Sequence, residues 1–186
     1  MQTRVPQGSC MSPILAAYFT STMSKAIQEG VADKARDNPA LRQKLTQGSA
    51  TLLPPTLYID DGSLSASAEN RVDTTELVKL AFTEAHTWLR EWGLKTDQVK
   101  NELMHFTKTR TGRNARNGPS ITIPTDKEGQ TKTISPAPLM KYLGVWFDSH
   151  LKFIEHTKKM VSKAMSAAHA LRMLGNSIRG IHQSHL

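Results

Sequence analysis

The chain has 186 residues, 38% of them hydrophobic, and a formal net charge of +8 at pH 7. This length fits one ordinary domain, and the excess of positive charge favours an anionic partner, with nucleic acid as the leading candidate. The single cysteine, Cys10, excludes an internal disulfide framework and suggests a reducing compartment. No stretch approaches the roughly 20 apolar residues that cross a bilayer, and no basic-then-apolar signal pattern is visible. We therefore expect an intracellular protein that is not bound to a membrane.

The first predicted helix begins at Ser12-Pro13, with serine as the cap and proline at the first helical position. The polar segment 28–49 predicts a connection, with a short helix at about 41–45. An apolar stripe at helical spacing supports the first helix, and its members are Ile14, Leu15, Tyr18, Phe19, Met23 and Ile27.

Two adjacent acids follow a short β-favouring run, in the sequence Tyr58-Ile59-Asp60-Asp61-Gly62. Leu64 and Ala66 resume the alternation, which predicts a hairpin with the acids at its tip. Because side chains alternate along a strand, Tyr58 and Asp60 are expected on one face. An anionic pair on an open face suits Mg²⁺ with phosphate oxygens. The alternative is plain turn formation, since Asp and Gly are common turn residues.

A long amphipathic helix follows the hairpin. Asp73 and Glu76 resemble a capping box at its start, and Gly93 is placed as expected just beyond its end. Both tryptophans of the helix are predicted to be in the core. The apolar stripe consists of Leu77, Leu80, Ala81, Trp88, Leu89 and Trp92.

Strands are predicted at 102–107, 121–123, 131–134 and 142–147, and the segment 108–116 is predicted to be a loop with four cations and no acids. From Lys152 a last helix is predicted. Its lysines Lys152, Lys159 and Lys163 lie away from an apolar stripe formed by Phe153, Thr157, Met160, Val161, Ala164, Ala168, Leu171 and Leu174.

The order of five motifs is the strongest feature of the sequence. They are a Pro6-Gln7-Gly8-Ser9 loop before a capped helix, Tyr58-Ile59-Asp60-Asp61, a helix ending in Trp-Gly-Leu, Lys100-Asn-Glu-Leu, and Lys-Tyr142-Leu143-Gly144-Val. In this order they resemble the palm of a reverse transcriptase, an RNA-directed DNA polymerase, of the non-LTR (LINE-type) retrotransposon class. The resemblance runs from about Val5 to the carboxyl end, and 171–180 resembles the segment that enters the thumb.

The resemblance implies an α+β fold. Residues 1–147 would form a partial palm, a small antiparallel sheet with helices on one face. Residues 148–186 would form a helix that leads into the thumb.

The resemblance also implies roles for the acids and for the loop that opens the chain. Asp60 and Asp61 match the paired catalytic acids, and Asp60 is expected to hold the two Mg²⁺ cofactors more directly. Tyr58 would contact template or primer. Pro6, Gln7, Gly8 and Ser9 match the loop that lines the incoming nucleotide and the template base, although Cys10 and Met11 replace the usual Pro and Leu. A simple helix-entry turn is the alternative for this loop.

Two further motifs match less specific positions. Lys100 matches a lysine that donates a proton or contacts pyrophosphate, and an ordinary surface lysine is the alternative. Tyr142, Leu143 and Gly144 match the primer grip, and an ordinary buried strand is the alternative. The implied partners are an RNA template, a DNA primer and deoxynucleotides.

The family pattern includes a further aspartate on a strand several tens of residues before the Pro-Gln-Gly loop, and fingers that close on the nucleotide. No part of this sequence matches either, and Asp33 and Asp37 do not fit the motif. One or two carboxylates cannot fix two Mg²⁺ ions at a set separation. We therefore expect the chain to be truncated at its N-terminus and inactive alone, with an open sheet edge that favours self-association.

A non-catalytic nucleic-acid-binding module is the competing hypothesis. It depends on the net charge, the cationic loop 108–116 and the lysines of the last helix. Such patches bind phosphates without regard to sequence, and salt weakens the binding steeply.

Overall fold

The computed structural model of the protein describes residues 12–58, 61–107, 118–127 and 129–174. These residues contain helices and short antiparallel strand pairs, so the predicted α+β class is confirmed. The helices are α1 (Ser12–Asp37), α2 (Pro39–Thr46), α3 (Arg71–Glu91) and α4 (Ile154–Leu174). The strands are β1 (Ala50–Leu52), β2 (Thr56–Tyr58), β3 (Asp61–Ser63), β4 (Ala66–Ala68), β5 (Ile121–Pro124), β6 (Thr131–Ile134), β7 (Leu139–Tyr142) and β8 (Val145–Asp148). In this part of the chain no helix is long and apolar enough to span a bilayer.

The β-structure consists of two-stranded ribbons. β1 pairs with β4, β2 with β3, β5 with β6 and β7 with β8, always antiparallel. The first two pairs are the base and the tip of one hairpin, joined across the gap by a hydrogen bond from Leu53 N to Ser65 O at 2.9 Å. Pro54 and Pro55 interrupt the ladder because proline has no N–H to donate.

Helix α1 is longer than the sequence pattern predicted. The segment 28–49, predicted to be a mainly polar connection, continues α1 to Asp37 and then forms α2. Val31 and Ala35 extend the buried stripe of Met23 and Ile27 at intervals of four residues. This spacing keeps one face of the helix against the core even though its other faces are polar. The short helix predicted near 41–45 is confirmed as α2.

The N-cap of helix α3 lies three residues before the predicted cap. Its N-cap is Asn70, whose Oδ1 accepts a hydrogen bond from Asp73 N at 2.8 Å. The Asn70 amide in turn donates to the Asp73 carboxylate at 2.7 Å. The capping box predicted at Asp73 and Glu76 was therefore wrong, and Asp73 has the N3 role in an Asn70–Asp73 pair.

The end of α3 at Gly93 is as predicted. Gly93 has φ +68°, and the bonds Gly93 N to Arg90 O (3.0 Å) and Leu94 N to Leu89 O (2.8 Å) complete a Schellman motif. Trp88 is buried, as predicted for a core residue, but Trp92 is 52% exposed. The Trp92 ring packs edge-on against Phe19 of α1, with 5.1 Å between the ring centroids.

Helix α3 lies between two hydrophobic clusters. One joins α1, α2, the base of the first hairpin and one side of α3, and its fully buried residues include Ile27, Leu77 and Ala81. The second cluster joins the other side of α3, through Val78 and Phe82, to Leu103, Ile121, Ile123 and Ile134. α3 therefore holds the first hairpin and the β5–β6 ribbon in one body.

Two predicted strands differ from the structure. Segment 102–107 has alternating burial, with Leu103 and His105 buried, but among the described residues it makes only one isolated bridge, from Leu103 to Pro136. Its backbone bonds go to scattered partners instead of a ladder, including Ala137 N to Leu103 O and Thr107 N to Ser149 O. The predicted strand 142–147 is interrupted by a turn at Leu143 and Gly144, so that Tyr142 ends β7 and 145–147 lie in β8.

Helix α4 contacts the rest of the protein only near its start within the described residues. The side chains from 161 to 172 are all exposed, including the apolar Val161, Met165 and Leu171. Val161 and Leu171 belong to the apolar stripe predicted for this helix, and the described residues do not cover them.

Candidate functional site

The acidic hairpin has the predicted form. Tyr58 of β2 stands directly opposite Asp61 of β3. Opposed residues of an antiparallel pair project from the same face, so the phenol ring and the carboxylate lie side by side. Both side chains are exposed, Tyr58 to 58%. Ile59 and Asp60 are outside the described residues, and so is the predicted placement of Tyr58 and Asp60 on one face.

The base of this hairpin is fixed to the helices. Ala50 is only 2% exposed, and Leu52, Leu57, Leu64, Ala66 and Ala68 pack against the core that α1 and α3 share. Gly62 stands opposite Leu57, and a Cβ at Gly62 would lie 3.2 Å from the Leu57 Cδ2 atom. The polar tip therefore extends from strands that pack against the core, and a larger residue at Gly62 would require the Leu57 side chain to move.

The carboxylate of Asp61 makes no ion pair within the described part of the chain. The same residues contain no group of three His, Cys, Asp or Glu side chains that could hold a metal ion. A carboxylate is the right ligand type for Mg²⁺, but a two-metal site needs several of them. The described residues alone therefore do not fit such a site.

Lys100 lies in an exposed turn after α3. Its Nζ is 3.0 Å from Asp97 Oδ2, and its side chain is 83% exposed. Hydrogen bonds from the Lys100 side chain and the Val99 backbone lower the pKa of Asp97 below its ordinary value. Lys100 is thus an exposed cation next to an acid, and its catalytic role stays a prediction.

Tyr142, Leu143 and Gly144 lie where β7 turns into β8. Tyr142 pairs with Val145, and the two residues between them have φ +46° and +84°. Two positive φ values are typical of a type I′ hairpin turn. A leucine in this left-handed region costs about 1–2 kcal/mol relative to a right-handed conformation. The Tyr142 hydroxyl is buried without a hydrogen-bond partner in the described residues, and Leu143 is 46% exposed.

The remaining predicted site residues are Pro6, Gln7, Gly8, Ser9 and Asp60. They lie outside the described residues, as does the cationic loop 108–116. The predicted closeness of the Pro-Gln-Gly loop to the acids therefore also lies outside the described residues.

Sequence reasoning missed one polar residue with an unusual environment. Both carboxylate oxygens of Asp148 accept backbone N–H groups, from His150 (3.0 Å) and Lys152 (3.1 Å) on Oδ1 and from Phe153 (2.7 Å) on Oδ2. Burial raises the pKa of Asp148, but these three hydrogen bonds outweigh it and the net shift is downward. An aspartate a few residues before a predicted helix was the available signal.

A comparison with known protein families matches residues 1–147 to the reverse transcriptase (RNA-dependent DNA polymerase) family. No curated protein and no solved structure matches the chain. The family match spans most of the chain and contains the hairpin, Lys100 and the β7–β8 turn. The chain therefore belongs to the reverse transcriptase family, whose members are RNA-directed DNA polymerases.

Proposed function

We propose that this chain provides the palm of an RNA-directed DNA polymerase of a non-LTR retrotransposon, over residues 1–147, and the first thumb helix beyond them. The observation that carries the proposal is the hairpin tip, where Tyr58 and Asp61 are exposed side by side on a buried base. An exposed carboxylate next to an aromatic ring at this tip is accessible both to a cation and to a nucleic-acid strand.

The hairpin acids Asp60 and Asp61 would attract the cations that accompany a nucleotide triphosphate. In the family, Mg²⁺ ions supply activation of the attacking oxygen and neutralise the leaving pyrophosphate. Tyr58 would lie along the template-primer duplex, because its ring shares the face of Asp61.

Other segments would bind the remaining substrate groups. Pro6 to Ser9 would line the nucleotide and the template base, and Lys100 would contact pyrophosphate or donate a proton. The turn at Tyr142, Leu143 and Gly144 would grip the primer. The left-handed Leu143 supports this role, because strained backbone is found most often where function requires it.

We further propose that the chain alone does not polymerise DNA. The hairpin supplies at most two carboxylates, and the family pattern adds a third from a strand that this sequence does not match. Primer extension with an RNA template, Mg²⁺ and deoxynucleotides tests this. We expect no more product than from Asp60→Ala, and product above that variant would refute the proposal.

Nucleotide binding tests the acidic site separately from catalysis. We expect deoxynucleotide binding that requires Mg²⁺ and is lost in Asp61→Asn and in Asp60→Asn. Asp33→Asn is the matched control, because Asp33 is an exposed acid on α1 far along the chain from the hairpin. Binding that persists in both hairpin variants would show that the acids do not form the site.

The second candidate is a basic module that binds nucleic acid without catalysis. The exposed cations of α4 favour it, since Lys163 and Arg172 belong to the exposed part of the helix and Lys158, which pairs with Glu155, is exposed just before it. This function predicts RNA binding that weakens steeply with salt and is indifferent to Mg²⁺ and to Asp61→Asn.

A further inference from the structure

Helix α4 is held at one end. Its described side chains from 161 to 172 are exposed, so its direction depends on contacts made in its first two turns and in the segment before it. Within the described residues, α4 itself contacts mainly the β7–β8 ribbon, and the segment before it also bonds to Thr107 through Ser149 and His150. Lys159 Nζ lies 3.1 Å from the centroid of the Trp146 ring, and the rings of Phe147 and Phe153 are 5.7 Å apart.

The segment between β8 and α4 has an unfavourable backbone. Leu151 has φ +53° and Phe153 has φ +57°, and both are bulky residues without the freedom of glycine. Such conformations persist only where the surroundings over-determine them. Leu151 is 48% exposed, so its own packing contributes little to holding its angle, whereas Phe153 is 36% exposed and packs only on the Phe147 ring among the aromatic residues described.

Asp148 supplies the missing constraint. Its carboxylate accepts from the backbone N–H groups of His150, Lys152 and Phe153, and its own carbonyl accepts from Leu151 N at 2.9 Å. One side chain thereby binds the backbone on both sides of Leu151 and directly at Phe153. Hydrogen bonds to a charged acceptor are roughly twice as strong as neutral ones.

We propose that Asp148 is a positioning residue that fixes the angle at which α4 leaves the β7–β8 ribbon. The ribbon ends in the turn at Tyr142 to Gly144, so the same residue sets the spacing between that turn and the cations of α4. The functional side of this inference rests on the proposed palm role, under which turn and helix would contact one primer-template duplex together. The fixed angle of α4 does not rest on that role, because it follows from the hydrogen bonds of Asp148.

The test measures the angle without nucleic acid. Spin labels at Lys141→Cys on β7 and Ser166→Cys on α4, both exposed positions, report a distance distribution in a Cys10→Ser background. We expect a narrow distribution with Asp148 present, and a distribution roughly twofold wider in Asp148→Ala. The width of the distribution in Asp148→Asn should be intermediate, because the amide oxygen of asparagine still accepts hydrogen bonds whereas its NH2 group does not. Asp33→Ala is the control and should match the unchanged chain.

An equally narrow distribution in Asp148→Ala would overturn the proposal. If Asp148→Ala lowers the helical circular dichroism signal of the whole protein, Asp148→Asn becomes the deciding variant. A distribution in Asp148→Asn as narrow as in the unchanged chain would then overturn the proposal. Faster amide hydrogen exchange at His150, Lys152 and Phe153 should accompany the wider distribution.

A binding arm separates this inference from the proposed function. Asp148→Ala should weaken binding of a primer-template duplex several-fold, whereas Asp33→Ala should not. If the palm role is wrong, the distance result stands and the binding result disappears. If Asp148 does not position α4, the distance result fails although nucleotide binding through Asp61 persists.

Discussion

Helices α1 and α4 have similar apolar stripes and opposite fates. In α1, Met23, Ile27, Val31 and Ala35 are buried against α3 and the hairpin base. In α4, Val161 and Met165 are more than half exposed. The period of a stripe therefore predicts that a helix forms, and only the contacts of the fold reveal whether its face is covered.

The difference also separates the molecule into two kinds of region. Around α3, apolar packing fixes the position of the hairpin that carries Asp61. Around α4, the hydrogen bonds of Asp148 hold the start of the helix with little buried surface. The following predictions test this contrast, beginning with the largest effect.

Ile27→Ala should destabilise the protein by about 2–5 kcal/mol, because Ile27 is fully buried and the substitution leaves a cavity. Val161→Ala on α4 is the control and should change the free energy of unfolding by less than about 0.5 kcal/mol. Urea unfolding measures both. Equal losses at the two sites would mean that the α4 face is covered in solution.

Asn70→Ala should cost about 1 kcal/mol, because the α3 N-cap bond to Asp73 N is lost. Asn70→Ser retains a capping oxygen and should recover most of that loss. Thermal unfolding of the three proteins compares them. A cost from Asn70→Ser as large as from Asn70→Ala would contradict the capping role.

Leu143→Gly should leave stability unchanged or raise it by up to about 1 kcal/mol, because glycine accepts the left-handed φ of this turn. Lys141→Gly in the neighbouring strand β7 is the matched variant, and it should lose stability by about 0.5–1 kcal/mol. Urea unfolding distinguishes the two. A loss at Leu143 as large as at Lys141 would show that the turn is not strained.

The smallest expected effect concerns pH. The pKa of Asp148 is lowered in the folded protein, so its contribution is fully present above the unfolded value near 3.8 and is lost as the pH falls through the lower folded value. Between about pH 5 and about pH 2, the unchanged protein should therefore lose more unfolding free energy than Asp148→Asn. Parallel pH profiles would contradict this assignment. The charge of His150 also lowers the pKa of Asp148.

The sequence predicted the elements whose signals are local. The β2–β3 hairpin, β5, β6 and the Gly93 end of α3 all follow from residue types at fixed spacing. The extension of α1 was missed because two apolar residues, Val31 and Ala35, are enough to continue a buried stripe among many polar ones.

The other errors have tertiary causes. Segment 102–107 alternates like a strand, but its neighbours offer single hydrogen bonds instead of a ladder. The β7–β8 turn was missed because leucine is an uncommon residue at positive φ, so Leu143 gave no turn signal. The candidate site could be predicted only as far as residue types allow: the exposure of Asp61 next to Tyr58 needed the strand register.

The double proline in the first hairpin affects how the tip behaves. Pro54 and Pro55 interrupt the ladder, but each proline ring fixes its own φ. The interruption therefore adds less flexibility to the hairpin than two other residues would. A displacement of the β1–β4 pair should therefore also displace the β2–β3 pair. A substitution on α3 under Ala50 or Ala68 should displace Tyr58 and Asp61 although it contacts neither.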